Sequence, residues 1–248
     1  MTTEDNEQSP FTKPGFIIAA VVVFLIVVLG VVIGFVNANR NDPEPAPSPS
    51  SPTNTSAAPT TEPSAVAGGA SVCGLNGEVL SGSLTTAPEA KWEYLGTTAY
   101  PTSSKFGPAE KSDKKYRYCF QHSPEGAVFA AGNALVQGSS PEVSGPWIEY
   151  FLSTETPNRS DLLTEVSSGT SSETRMGISG FKILEYDGET ARIDIAAKAV
   201  GNGNSVYASA VYDLVWEDGD WKLLPQNPTD PLRIAQIPDV SGYIAWGE

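Results

Sequence analysis

The stretch from Phe16 to Val36, FIIAAVVVFLIVVLGVVIGFV, constrains this chain more than any other. Its 21 residues carry no charge. At about 1.5 Å of rise per residue they match the roughly 30 Å hydrocarbon core of a bilayer. Backbone polar groups in lipid must be satisfied within the segment, which predicts a transmembrane helix over residues 16–36. The many β-branched residues would disfavour a helix in water, but in lipid no strand partner competes. Residues 1–15 form a short polar tail closed by Pro14-Gly15. Val36-Asn37-Ala38 resembles a signal-peptide cleavage site. The apolar run is longer than an h-region of about 7 to 15 residues, and the tail before it is acidic, so it reads as an uncleaved anchor.

Residues 37–72 have a different composition. Proline stands at 43, 45, 47, 49, 52, 59 and 63 among Ser, Thr and Ala, with no apolar periodicity. Such a segment cannot bury a core and predicts a disordered Pro/Ser/Thr linker, a stalk between membrane and domain. Residues 73–248 are then long enough for one domain with its own core.

The chain's formal net charge is -14, and acidic residues outnumber basic ones from Cys73 onward as well. That field repels nucleic acid, so no nucleic-acid partner is expected. Lys111, Lys114, Lys115 and Arg117 form the one basic cluster, which reads as a solvated face or a local docking patch. The only two cysteines, Cys73 and Cys119, both follow the span. A disulfide in an oxidising compartment fits this placement; reduced thiols or metal ligands are the alternative. Lys13 and Arg40 flank the span almost symmetrically, so charge alone does not orient it. The cysteines and the stalk favour a single-pass cell-membrane protein with a cytoplasmic N-terminus and an extracytoplasmic C-terminal domain.

Within that domain Ser123-Pro124-Glu125 is a helix start: a capping hydroxyl, a proline at the first position and an acid at the positive end. A small-residue helix is expected over Gly126–Gln137, a second near Pro146–Ser153 and a short third after Ser160. A strand is expected around Trp92–Leu95. From about residue 176 the period becomes two, giving four strands: Gly177–Tyr186, Ala191–Val200, Ser205–Trp216 and Trp221–Pro225. Asp187-Gly188, Gly201-Asn202-Gly203-Asn204 and Glu217-Asp218-Gly219-Asp220 supply hairpin turns. Ala191, Ile193, Ile195, Ala197 and Ala199 should face the core, with Arg192, Asp194 and Lys198 facing solvent. The predicted class is α+β: helices packed on a curved antiparallel meander, with the tail through Tyr243 and Trp246 returning to the body.

Chemical motifs are sparse. The only histidine, His122, could act as a base or join the cysteines as a ligand, or it packs beside the helix cap. Ser112-x-x-Lys115 lacks the further elements of a penicillin-interacting site. Glu217, Asp218 and Asp220 lack EF-hand spacing and read as a turn. Trp92, Tyr116, Trp147, Tyr150, Tyr207, Tyr212 and Trp216 would either line a cavity or fill a core. His122, Trp147 and Tyr212 are the pocket candidates. No catalytic residue, metal site or cofactor is expected.

The element order resembles the cone-shaped nuclear-transport-factor-two-like fold. The segments CGLNG (from Cys73), RYCFQHSPEGA (from Arg117), VYDLVWEDGDW (from Val211) and DVSGYIAWG (from Asp239) resemble a group of actinobacterial single-pass membrane proteins encoded beside conjugation genes of integrative elements. The resemblance implies a non-catalytic extracytoplasmic scaffold or adaptor, in a conjugation or secretion apparatus, with other envelope proteins as partners. A small-ligand-binding or enzymatic cone, and a cell-wall or lipid-binding module, are the competing expectations.

Overall fold

The computed structural model describes residues 71–166, 175–201, 204–227 and 231–248. The expected membrane span, the tail before it and the linker up to residue 70 lie outside the described residues, as do Asn202 and Gly203 of one expected turn. Among the described residues no helix is long and apolar enough to cross a membrane.

The order of elements follows from the change in period. Two hairpin-like pairs come first: β1 (Lys91–Leu95) with β2 (Thr98–Thr102), and β3 (Glu110–Lys111) with β4 (Arg117–Tyr118). Three helices follow: α1 (Pro124–Gly138), α2 (Ser144–Phe151) and α3 (Arg159–Val166). The long strands are β5 (Arg175–Tyr186), β6 (Thr190–Gly201), β7 (Asn204–Glu217) and β8 (Asp220–Leu223). They pair antiparallel in chain order, as the alternation and turn residues predict. Two strands of the tail complete the six-stranded sheet: β9 (Arg233–Ile237) pairs with β7, and β10 (Ile244–Ala245) pairs with β5. The result is a curved antiparallel sheet with a few helices against it.

Helix α1 forms where the sequence signals it. The Ser123 hydroxyl accepts from the Gly126 N–H at 3.0 Å, satisfying one of the first-turn donors that helix geometry leaves open. Its small residues let the sheet come close. A Cβ at Gly132 would sit 3.1 Å from Trp246 and 3.2 Å from Ile178. Phe129, Phe181, Trp221, Ile193 and Ile195 are fully buried around this helix. Trp246 from the tail meets Phe129, Phe181 and Trp92 edge-on at 5.2 to 5.5 Å, a favoured aromatic geometry.

The β7–β8 turn contains Asp218 (φ 53°) and Gly219 (φ 77°) between the paired residues Glu217 and Asp220. Two left-handed residues in a two-residue loop match the right-handed twist of a hairpin. At the β5–β6 turn the Asp187 carboxylate accepts from the Thr190 N–H at 2.6 Å and the Glu189 N–H at 3.0 Å. The Thr190 amide is the main cause that holds the Asp187 carboxyl below its usual range.

One expectation needs correction. Asp194 does not face solvent; it is buried. The tail roofs that face of the sheet, and Asp194 accepts from Ser209 Oγ and Tyr243 Oη, both at 2.6 Å. Asp213 on β7 is likewise buried, accepting from Arg192 Nε at 2.6 Å and from Arg233 of β9 at 2.9 Å. A meander read from the sequence has one dry face. Side chains of the tail, Tyr243 and Arg233, partly cover the second one as well.

Candidate functional site

Most polar chemistry in the domain gathers at the end of the sheet where the β5–β6 and β7–β8 turns lie. Cys73 and Cys119 form a disulfide there, with Cα atoms 6.1 Å apart. Cys119 is left-handed (φ 69°), a conformation that turns successive amides toward one point. The Asp220 carboxylate occupies that point. It accepts from the N–H groups of Cys119 (2.8 Å), Phe120 (2.9 Å) and Trp221 (3.0 Å), and from the Tyr150 hydroxyl (2.8 Å). Asp220 is 0% exposed. Burial pushes its carboxyl up, and the amides and the Tyr150 hydroxyl pull the other way. Burial, then the Asp220 charge, pushes the Tyr150 phenol up. Lys222 Nζ lies over the Tyr150 ring, 3.1 Å from its centroid, and donates to the Tyr150 carbonyl at 3.1 Å. Burial lowers this ammonium and Asp220 opposes the shift. The cluster is closed and internally matched. It ties the disulfide loop, α2 and the β7–β8 hairpin together.

His122 sits beside it. The imidazole is 6% exposed and stacks parallel on Trp216, with centroids 4.0 Å apart. Nδ1 lies 2.7 Å from Glu78 Oε1, at ion-pair distance but off the line of a hydrogen bond, and Nε2 lies 2.5 Å from the Gly188 carbonyl. His122 therefore joins the segment 71–80 to the β5–β6 turn. The same segment is held by Val72 N–H to the Gly219 carbonyl (2.8 Å), Val79 N–H to the His122 carbonyl (2.8 Å), and the Tyr186 hydroxyl on the Val79 carbonyl.

The other sequence candidates lie elsewhere. Trp147 is buried on α2, stacked on Phe151 at 4.7 Å and seated beside Gly138. Tyr212 is buried on β7, and burial raises its phenol pKa. Trp147 and Tyr212 belong to the one hydrophobic core, His122 is buried beside it, and none of the three lines the cleft described below. Tyr116, Tyr118 and Tyr150 form one aromatic cluster at 5.2 to 6.0 Å, while Trp216 packs with His122 and Trp221. Lys115 pairs with Glu142 and Lys114 with Glu149 at the surface. Among the described residues no group of three or more His, Cys, Asp or Glu could hold a metal ion.

Sequence reading missed Asp220, Asn133 and Gln137. The Gln137 amide accepts from the Arg117 N–H at 2.6 Å and donates to the Arg117 carbonyl at 3.1 Å, pairing with β4 as a strand would. Asn133 donates to the Pro101 carbonyl at 2.9 Å. Their spacing, i and i+4 on a helix of small residues, was the available signal. Asp220 gave none, because a turn acid is ordinarily solvated.

The opposite end of the sheet holds an open cleft of about 620 Å³. Trp92 and Tyr94 of β1, Met176 and Gly177 of β5, and Lys198 and Val200 of β6 form much of its wall. Tyr94 is 55% and Val200 45% exposed, two of the largest exposed apolar groups of the domain. The Tyr94 hydroxyl donates to the Glu248 carboxylate at the cleft edge. The cleft mixes aromatic, aliphatic and polar groups and brings together one cation and one carboxylate.

No curated protein and no solved structure matches the chain. A family described as a domain of unknown function (DUF8175) matches residues 43–245, which spans the whole of the folded region up to β10. The chain belongs to that family.

Proposed function

We propose that the chain is a non-catalytic, membrane-anchored scaffold or adaptor whose domain is held outside the cytoplasm by the Pro-rich stalk and meets other envelope proteins. The finer reading of the fold, a cone of the nuclear-transport-factor-two-like kind carried on one transmembrane helix, belongs to the same proposal. So does a place in a conjugation or secretion apparatus, which rests on sequence resemblance alone.

One observation carries this reading. The space between helices and sheet, where a cone-shaped enzyme would keep its substrate, is filled by Phe129, Phe181, Trp221, Trp246, Ile193 and Ile195. The buried acids Asp194, Asp213 and Asp220 are each engaged by internal donors. Catalysis needs a concave site with convergent, available groups. The polarity of the domain points the same way. Ser71, where the stalk joins, lies beside Cys119 and the β7–β8 turn, and the cleft lies at the other end of β6. The strand from Ala191 to Val200, at about 3.3 Å per residue, puts about 30 Å between the two ends. The stalk thus presents the cleft away from its own attachment.

The competing ligand-binding reading draws on the same cleft, which is large enough for a small molecule. The test is cross-linking and affinity capture of the full-length chain in its native host. Stoichiometric, reproducible capture of envelope proteins is expected. A chain that is captured alone, and turns over or retains a small molecule, overturns the adaptor reading.

A further inference from the structure

We propose that the cleft receives an extended peptide strand of a partner protein, added to the outer edge of β5 antiparallel to it. The proposal rests on the adaptor reading and names how the partner is held. The tail already uses this edge in the same way. Ile244 pairs with Phe181, Ala245 with Gly180, and the Trp246 N–H donates to the Ser179 carbonyl at 3.3 Å. The tail stays against the edge past this pairing, and Glu248 still lines the cleft beside Met176 and Gly177. A Cβ at Gly247 would lie 2.4 Å from the Ile178 carbonyl, so only glycine passes there. Beyond that point, at Arg175–Gly177, β5 pairs with β6 on one side, and among the described residues no strand pairs with it on the other. β2 packs close to β5 but pairs with β1 in a sheet of its own.

An open strand edge is a template for another extended chain, and proteins ordinarily blunt it with prolines, charges or bulges. Here both irregularities in β5, at Ile178/Gly180 and Ile183/Glu185, fall before the open stretch is reached from the tail, and of that stretch only Arg175 is charged and none is proline. Main-chain bonds would give affinity, and alternate side chains would give specificity. The walls state what those side chains are. Trp92, Tyr94, Met176 and Val200 suit apolar residues at every second position. Lys198 has no carboxylate within ion-pair distance among the described residues, its nearest aromatic being Tyr207 at 5.8 Å. An acidic residue in the peptide would pair with it. Gly177 keeps the groove open, since nothing lies within 4 Å of a Cβ built there.

The test uses the full-length chain in detergent micelles and a display library of random eight-residue peptides. Enriched peptides are expected to alternate apolar residues and carry an acid. Their backbone N-methylated versions should bind at least tenfold more weakly. Gly177→Trp fills the groove and should abolish binding with an unchanged unfolding midpoint, and Lys198→Glu should weaken acid-bearing peptides several-fold. The inference is overturned by no enrichment, by equal binding of N-methylated peptides, or by an N-acetylglucosamine oligomer perturbing Trp92 and Tyr94 where peptides do not. Host cross-links that arise only from surfaces outside the cleft overturn this inference and leave the adaptor reading standing. Absence of host cross-links from every surface overturns the adaptor reading whatever the peptides do.

Discussion

The two ends of the sheet are built on opposite principles. At the Cys119 end a disulfide, four donors on one carboxylate and a buried histidine stacked on Trp216 hold three elements and the segment 71–80 in place. At the cleft end the β1–β2 hairpin forms a sheet of its own, large side chains are exposed, and among the described residues no strand pairs with the outer side of β5 at Arg175–Gly177. Both ends share one core, so the contrast is not between folded and unfolded parts. The domain is tied most heavily at the end that holds the segment 71–80. On the adaptor reading proposed above, the opposite end is the one that would exchange partners, because fewer fixed contacts hold it.

The sharpest way to break this comparison is Asp220→Ala. It leaves three buried N–H groups and the Tyr150 hydroxyl without their acceptor. Each unsatisfied donor costs roughly 1–3 kcal/mol before relaxation, and removing one partner of a buried charged group usually costs about 3–5 kcal/mol. A loss of about 4 kcal/mol is expected in denaturant titration, and a loss under 1 kcal/mol would mean that the carboxylate is not the keystone of that end. Next comes the disulfide. Replacing Cys73 and Cys119 by serine opens a loop with a sequence separation of 46, and about 3 kcal/mol should be lost. Thiol labelling of unreduced protein should find neither cysteine free. The two effects should not add, since the Cys119 amide donates to Asp220; a double-mutant cycle measures the coupling.

The contrast also marks what the sequence could tell. Local signals were legible because they act locally: Ser123-Pro124-Glu125 starts α1, and the period-two runs between Asp-Gly and Asn-Gly turns give β5 to β8 in order. The destinations of side chains were less so. Asp194 reads as solvent-facing until Tyr243, far along the chain, covers it. Asp220 reads as a turn acid, and only a contact across a hundred residues to Cys119 makes it a core residue. Trp147, Tyr212 and His122 share a bulky aromatic character, but that character fits a core as well as a pocket. The cleft lies beside the close pass of Gly247 over the Ile178 carbonyl, which no residue pattern announces.

Smaller effects sharpen the comparison. Ser123→Ala removes the acceptor for the Gly126 N–H and the partner of Gln121, and should cost about 1 kcal/mol. Asp there restores the acceptor for Gly126 but not the donor to Gln121 Oε1, so part of the loss should remain. A helix whose stability rests on the packing of Gly132 against Trp246 and Ile178 feels its cap only modestly.

The smallest expected effects on stability lie in the cleft, and they decide the comparison. Val200→Thr and Gly177→Trp alter a half-exposed strand residue and an open glycine. Surface changes away from caps, cavities and buried pairs stay within about 0.5 kcal/mol. Both variants should therefore unfold at the wild-type midpoint, while peptide binding falls for each and most for Gly177→Trp. If either variant instead unfolds as readily as Asp220→Ala, the cleft end is as deeply tied as the disulfide end, and the two ends differ in appearance only. If both keep stability and binding alike, the ends do differ in stiffness, but the loose end is not where partners dock. Only unchanged stability with lost binding assigns fixation to one end of the sheet and recognition to the other.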